Sequence, residues 1–114
     1  MGLAVEILFQ NRRIEKICTS EKEMRKSLPP NRERALKVRL RQLTESPTLE
    51  FLREQPGHCH ELTQDRSGQL AVSLDGLFRL IFAPQEPIPL KPDGGLNWSE
   101  VIAVEIIEIV DYHP

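Results

Sequence analysis

The chain has 114 residues, of which 39% are hydrophobic and 28% charged, with a formal net charge of -2 at pH 7. This length predicts one domain over residues 1–114, large enough for a hydrophobic core but too short for two. No apolar run approaches the ~20 residues of a membrane span, and the N-terminal residues carry no basic segment typical of a signal peptide, so we expect a cytoplasmic protein without a membrane partner.

The charge is unevenly distributed along the chain. Between Arg12 and Arg41 lie 11 of the 15 basic residues and four acidic ones, a local net charge of +7. Segregated positive charge is typical of proteins that bind polyanions, although solvent-exposed helices also collect lysine and arginine. Cys18 and Cys59 lack CxxC spacing, so buried or idle thiols are expected rather than a disulfide or a metal site.

The N-terminal segment predicts a strand followed by short helices. Leu3 to Phe9 is apolar and rich in β-forming residues, which favours a buried strand. Asn11 is a suitable N-cap for a short helix. Ser20 followed by Glu23 has the form of a capping box, so a second helical piece is expected to reach about Leu28.

A longer helix is predicted from Asn31 to Thr44, after Pro29-Pro30 ends the preceding one. One face of this helix is apolar and carries Leu36, Leu40 and Leu43. The opposite face carries a basic stripe, for which we predict RNA binding: Arg34, Lys37 and Arg41. A further short helix is expected to start at Ser46-Pro47 and to run through Arg53.

After Gly57 the pattern is that of a sheet. Short strands are predicted at Cys59 to Leu62, Gln69 to Leu74, Phe78 to Phe82 and Val101 to Val110, with turns at Asp65 to Gly68 and Asp75-Gly76 and a long loop from Pro84 to Ser99. The order of elements predicts an α+β fold: an N-terminal strand, two to four short helices, then an antiparallel meander. The helices are expected to pack on one face of the sheet and to leave the opposite face free for a site.

Polar side chains interrupt three of these strands. They are His60, Arg79 and the group Asp111, Tyr112 and His113 at the end of the last strand. An imidazole titrates near neutral pH, so histidines beside a carboxylate are suited to proton transfer. Arg79 lies in an apolar stretch, where a guanidinium is costly unless it faces solvent, pairs with a carboxylate or meets an anion. Simple alternation along the strand would also point Arg79 outward.

Four segments in the same order resemble the HigB branch of the RelE/ParE toxin superfamily. They are Cys59 to Leu62, Asp65 to Val72, Phe78 to Phe82 and Ile109 to His113, and the resemblance extends over nearly the whole chain. It implies a RelE-like (microbial-RNase-like) sheet with helices on one face. It also implies a ribosome-dependent mRNA endonuclease, held inactive by a HigA-like DNA-binding antitoxin.

The resemblance carries functional residues over by position. His60, Arg79, Asp111, Tyr112 and His113 match the family's catalytic set, and Arg66 matches the arginine of the preceding turn, implying RNA contact. The chemistry needs no metal or cofactor, because RNA supplies its own nucleophile in the 2′-OH. His60 and His113 are the candidates for proton transfer, and the sequence leaves open which is acid and which is base.

The chain also departs from the family pattern. Thr63-Gln64 stands where the family usually has Lys-Gly, so one phosphate-neutralising charge is missing, and this is consistent with weakened activity. The loop from Pro84 to Ser99 is longer than in compact members. His58 adds an imidazole near the site, but a zinc site with Cys59 and His60 is disfavoured because adjacent strand residues point to opposite faces.

Two other functions fit parts of the sequence. One is a non-catalytic ParE-like toxin that inhibits DNA gyrase and needs no acid–base set. The other is an RNA-binding module that uses only the basic helices. The two histidines near Arg79 favour the endonuclease, because a pure binder has no need of them.

Overall fold

The computed structural model describes residues 4–112, and this part of the chain forms an α+β fold, as the sequence predicts. The helices within it are α1 (Arg12–Thr19), α2 (Glu21–Ser27), α3 (Pro30–Glu45) and α4 (Leu49–Arg53). The strands are β1 (Glu6–Phe9), β2 (His60–Glu61), β3 (Leu70–Ser73), β4 (Phe78–Pro84) and β5 (Ala103–Asp111). Single 3-10 turns lie at Gln64–Arg66 and Trp98–Glu100.

Side chains cap the first two helices as the sequence predicts. The Asn11 Oδ1 atom accepts a hydrogen bond from the backbone N–H of Ile14 at 3.0 Å. The Ser20 hydroxyl accepts one from the backbone N–H of Glu23 at 3.2 Å. Each bond satisfies a backbone donor that the start of a helix would otherwise leave unpaired, which fixes where α1 and α2 begin.

The starts of α3 and α4 differ from the predictions. Pro30 is the first residue of α3, where its fixed φ suits the first turn and its missing N–H has no cost. The short helix predicted from Ser46-Pro47 begins later, because Thr48 caps α4. Ser46 is fully buried, and its hydroxyl donates instead to the carbonyl of Gln42 at 2.6 Å.

The five strands form one mixed sheet in the order β1-β5-β4-β3-β2. The segment from β2 to β5 is the predicted antiparallel meander. The first strand, β1, pairs in parallel with β5, with Glu6 opposite Ala103 and Phe9 opposite Ile106. β5 is therefore an interior strand held on both sides.

The helices pack on one side of this sheet, here called the helix face. The main core forms there and includes the fully or almost fully buried Leu36, Leu43, Leu49, Leu52, Leu80, Phe82, Val104 and Ile106. Strand and helix side chains interleave in this layer, so it supplies most of the apolar area removed from water.

The opposite side, here called the second face, is not free as predicted. Ala71 and Ile81 on this face are completely buried, and Leu62 is 7% exposed. The connection from β2 to β3 covers them, and Ile107, Val110 and Tyr112 pack against the same small cluster. Part of the expected binding surface is therefore a second hydrophobic layer.

The segment predicted as a long loop is partly ordered. Strand β4 continues to Pro84, and Leu90 pairs with Leu96 in an isolated antiparallel bridge. Trp98 is 6% exposed, and its indole N–H donates to a Glu61 carboxylate oxygen at 3.0 Å. The segment thus docks on β2.

Among residues 4–112, no helix has the length and apolarity needed to cross a membrane.

Candidate functional site

The register of the sheet determines which predicted site residues share a face. His60 lies opposite Ala71, which lies opposite Ile81, and Ile81 lies opposite Glu108. Residues directly opposite each other in a sheet project to the same side. Because Ala71 and Ile81 belong to the small cluster, His60 and Glu108 also lie on the second face.

Arg79 is in the neighbouring row of the same face. It lies opposite Ser73 on one side and Val110 on the other. His60 is two strands away and two positions along the strand direction, so the two Cα atoms are roughly 12 Å apart from ordinary strand dimensions. The sheet therefore brings His60 and Arg79 to one surface without direct contact.

Local hydrogen bonds orient the Arg79 guanidinium. Its Nη1 atom donates to the carbonyl of Gly76 at 3.1 Å and to the carbonyl of Phe78 at 3.0 Å. The guanidinium is thus held against the turn between β3 and β4. Arg79 keeps further N–H groups beyond these two bonds, since a guanidinium has five donors.

Tyr112 also lies on the second face, packed against the small cluster. Its backbone N–H donates to the carbonyl of Leu77 at 3.0 Å, which extends the ladder between β4 and β5. The guanidinium carbon of Arg66 lies 5.5 Å from the centre of the phenol ring. At this distance the cation and the ring attract each other.

Arg66 is held by an acidic partner that sequence reasoning missed. Its Nη2 atom donates to the Glu108 carboxylate at 2.7 Å, and its Nη1 atom donates to Gln69 at 2.9 Å. The bond to Glu108 runs from the β2–β3 connection across β3 and β4 to β5. We call this pair the strap. It covers the second face and occupies the guanidinium for which the sequence predicts RNA contact.

Asp111 lies on the other side of the sheet from His60 and Arg79. It is opposite Phe78, and Phe78 carries the Arg32 guanidinium 3.3 Å from the centre of its ring. The five catalytic candidates would have to share one surface to act together on one phosphate, and Asp111 does not share the surface of His60 and Arg79. His113 lies outside the described residues.

A β-bulge explains the position of Asp111. The register of β4 and β5 shifts between Ile81 and Phe82, which leaves Ile107 as an extra residue in β5. An extra residue exchanges the two faces for every position that follows it. Without the bulge, Asp111 would share a face with Arg79 and Tyr112 would not.

The predicted RNA-binding stripe lies along α3. Arg34 and Arg41 are exposed there. The Lys37 ammonium contacts Glu21 at 2.8 Å and Glu33 at 3.2 Å. The hydrogen bond between Lys37 and Glu21 lowers the pKa of the carboxyl and raises the pKa of the ammonium. Lys37 is thus partly neutralised, and the strongest free positive charge is at the two ends of the stripe.

Two arginines of α3 outside the predicted stripe connect the helix to the sheet. Arg32 forms a bidentate ion pair with Asp75, in which Nε donates to Oδ1 at 2.8 Å and Nη2 donates to Oδ2 at 3.3 Å. Arg39 donates to the carbonyls of Ser73 at 2.7 Å and Pro56 at 3.3 Å, and burial lowers the pKa of its guanidinium. Arg32 and Arg39 are seven residues apart and therefore lie on one face of α3, which distinguishes them from the exposed Arg34 and Arg41. Their partners, however, could not be predicted from the sequence.

A cleft of about 400 Å³ opens on the helix face. Its lining combines Ile14, Ile17, Leu28 and Ile109 with the polar groups of Arg13 and Arg32. Arg32 is already bound to Asp75, whereas Arg13 is exposed, so the free positive charge of the lining comes from Arg13. No motif in the sequence predicts this cleft. Among the residues that the structure describes, no group of three or more His, Cys, Asp or Glu side chains is placed to hold a metal ion.

The chain matches no protein-family model and no curated protein.

Proposed function

We propose that this chain is the toxin of a type II toxin–antitoxin pair, a HigB-like, ribosome-dependent mRNA endonuclease of the RelE/ParE superfamily. The proposal is supported by the order of motifs in the meander and by helices packed on one side of the sheet. The observation that carries it is the common face of His60, Arg79 and Tyr112. An imidazole, a guanidinium and a phenol on one rigid surface suit phosphodiester cleavage.

The proposed reaction uses the 2′-OH of the RNA as nucleophile. A base removes the proton of the 2′-OH, the 2′-oxygen bonds to phosphorus, and the bond from phosphorus to the 5′-oxygen breaks. An acid gives a proton to the departing 5′-oxygen. The products are a 2′,3′-cyclic phosphate and a 5′-hydroxyl. His60 serves one of the proton transfers, and His113 is the candidate for the other.

The arginines of the second face supply the positive charge for this reaction. Negative charge accumulates on the phosphoryl oxygens in the transition state, and a preoriented guanidinium stabilises it. Arg79 is preoriented by two carbonyls. Arg66 takes part by exchanging Glu108 for a phosphate group, and Tyr112 stacks on a base or bonds the phosphate.

The partners are the ribosome with its mRNA and a HigA-like antitoxin. The basic segment from Arg12 to Arg41 is the proposed contact with ribosomal RNA, and Arg34, Lys37 and Arg41 are the docking residues within it. Asp111 lies across the sheet from His60 and Arg79, so the proposal assigns it no proton transfer.

The test is cleavage of mRNA on purified ribosomes by the purified chain. We expect new RNA ends carrying 5′-hydroxyl and 2′,3′-cyclic phosphate groups, and we expect their loss in His60→Ala. Lys91→Ala is a matched control, because Lys91 is exposed between β4 and β5 and lies outside both the proposed site and the basic segment. Intact mRNA after incubation with the folded wild-type chain would reject the proposal.

A ParE-like inhibitor of DNA gyrase is the alternative that one observation favours. Asp111 is separated from His60 and Arg79 by the sheet, and a non-catalytic toxin needs no convergent acid–base set. A supercoiling assay with purified gyrase distinguishes the two functions. Inhibition of supercoiling without mRNA cleavage would support the alternative.

A further inference from the structure

The residue before Cys59 has an unusual backbone conformation. His58 has φ of 54°, in the left-handed region, and the preceding Gly57 has φ of 123°. A residue with a side chain is uncommon there and costs about 1 kcal/mol or more relative to the ordinary regions. The chain thus makes a sharp, strained turn just before it enters β2.

Neighbouring elements hold this turn in place. The backbone N–H of Ser73 donates to the carbonyl of Gly57 at 2.8 Å. A Cβ atom at Gly57 would lie 3.0 Å from the Arg39 Nε atom, so the guanidinium fills the space next to the glycine. Arg39 also bonds the carbonyl of Pro56 at 3.3 Å. The strain at His58 is therefore maintained by α3 and β3.

The turn directs the His58 carbonyl to the imidazole of His60. The carbonyl oxygen lies 2.8 Å from the Nδ1 atom of His60. A carbonyl oxygen only accepts hydrogen bonds, so the Nδ1 atom must carry the proton in this contact. In the neutral ring the Nε2 atom then has a free lone pair.

The two rings pack against each other. Their centres are 4.6 Å apart and their planes are inclined by 33°. His58 is exposed and His60 half-buried, so the outer ring limits rotation of the inner one. The backbone carbonyl and the ring of His58 thus both contact the imidazole of His60.

We propose that His58 is a positioning residue, whose carbonyl fixes His60 as the Nδ1–H tautomer so that Nε2 is the general base for the 2′-OH of the RNA. The role of His60 as general base rests on the proposed endonuclease function, but the assignment of its tautomer does not. In the first step the proton of the 2′-OH moves to Nε2 while the bond from the 2′-oxygen to phosphorus forms. The bond to the 5′-oxygen breaks, and that oxygen takes its proton from the second acid or from water. His60 is then the base and not the acid, a choice that the sequence leaves open.

The tautomer can be read from the free protein by NMR. We expect the ¹⁵N spectrum of the imidazoles, recorded near pH 9 where imidazoles are ordinarily neutral, to show a protonated Nδ1 and an unprotonated Nε2 for His60. A protonated Nε2 in the neutral ring of the wild-type protein overturns the proposal. This result is independent of RNA cleavage.

Two substitutions separate the carbonyl from the ring of His58. His58→Gly removes the ring but favours the same backbone conformation, so we expect the Nδ1–H tautomer to persist. In His58→Val the β-branched residue resists a positive φ, so we expect a mixture of tautomers. Loss of the tautomer in His58→Gly, or an unchanged tautomer in folded His58→Val, contradicts the assignment to the carbonyl.

A matched control tests whether backbone strain alone changes His60. Gln64 is the other residue with a side chain and a positive φ among residues 4–112, at 59°. We expect Gln64→Val to leave the His60 tautomer unchanged. If the protein cleaves mRNA, His58→Val should lower kcat at least about tenfold with little change in KM, as for a general base in the wrong tautomer. If the wild-type protein shows the expected tautomer of His60 but does not cleave mRNA, the proposed endonuclease function is rejected and the tautomer assignment stands.

Discussion

At the scale of single residues, Arg79 is the side chain on which the proposed chemistry depends most. We expect Arg79→Ala to reduce mRNA cleavage about 10²–10³-fold, equivalent to about 2.7–4 kcal/mol, because a preoriented charge aimed at the transition state is removed. The measurement is single-turnover cleavage on saturating ribosomes, together with growth arrest on expression of the variant.

Folding must be separated from chemistry in this experiment. The bonds from Arg79 to Gly76 and Phe78 hold the turn between β3 and β4, so we expect a loss of about 1 kcal/mol in the free energy of unfolding. Urea titration measures this loss. A folded Arg79→Ala protein with full toxicity would show that Arg79 is an ordinary surface residue.

The two thiols are buried residues whose protonation affects stability. Burial raises the pKa of Cys18 from 9.0 to about 12 and likewise raises the pKa of Cys59 to about 12. Between pH 9 and about pH 12, each thiol loses its proton in the unfolded chain but keeps it in the folded chain. The stability linked to the thiols is therefore complete below pH 9 and is lost as the pH rises toward 12.

We accordingly expect the free energy of unfolding to fall above pH 9, by up to about 1.4 kcal/mol per pH unit for each thiol. Urea titrations at pH 8 to about 10.5 measure the slope. Cys18→Ala should be less stable at pH 8, because it leaves a small cavity, but its pH dependence should be weaker. An unchanged slope in this variant would remove Cys18 as the cause.

At the scale of elements, the strap decides how accessible the second face is. Glu108 competes with phosphate for Arg66, since both are anions that suit a guanidinium. We expect Glu108→Gln to bind single-stranded RNA more tightly, by roughly three- to tenfold at low salt, because it loses one negative charge and releases Arg66. Fluorescence anisotropy with a short labelled RNA measures the affinity.

Glu105 provides the control for this change. It lies on β5 and on the same face as Glu108, opposite Ala83. Glu105→Gln removes the same charge but leaves the strap intact. Equal tightening in both variants would show that the net charge matters and that the release of Arg66 does not.

Elements defined by local interactions could be predicted from the sequence, and positions that depend on distant partners could not. Asn11 and Ser20 cap helices through bonds that span three residues, so the sequence contains the whole interaction. The partner of Arg66 is 42 positions away. The side of Asp111 depends on the extra residue Ile107, and alternation of polar and apolar residues does not reveal a bulge within an almost continuous apolar run.

At the scale of the whole molecule, the separation of charge favours docking on a polyanion through the helical side. We expect simultaneous substitution of Arg34, Lys37 and Arg41 by Gln to weaken ribosome association. The dependence of log affinity on log salt should flatten by about 0.7–0.9 for each lost phosphate contact. Because Lys37 is bonded to Glu21 and Glu33, the change should be nearer two contacts than three.

Ribosome pelleting at a series of salt concentrations measures this dependence, and cleavage of the RNA that still binds should keep its rate. The comparison variant carries Gln at Arg12, Arg13 and Lys16, the basic residues of α1. If only the second variant loses salt dependence, the docking surface lies on α1 and the stripe of α3 is a solvated helix face.

The parallel pairing of β1 with β5 has a consequence for the kinetics of folding. Glu6 and Ala103 are 97 positions apart, and closing so long a loop is entropically costly before any contact forms. The hairpin of β3 and β4 needs only a short turn and can form early. We expect β1 to dock after the rate-limiting barrier, so Ile7→Ala should accelerate unfolding and leave the refolding rate nearly unchanged. A chain cleaved between β1 and β2 that loses β1 would keep the meander, but β5 would become an edge strand with unpaired backbone groups, and such an edge promotes aggregation.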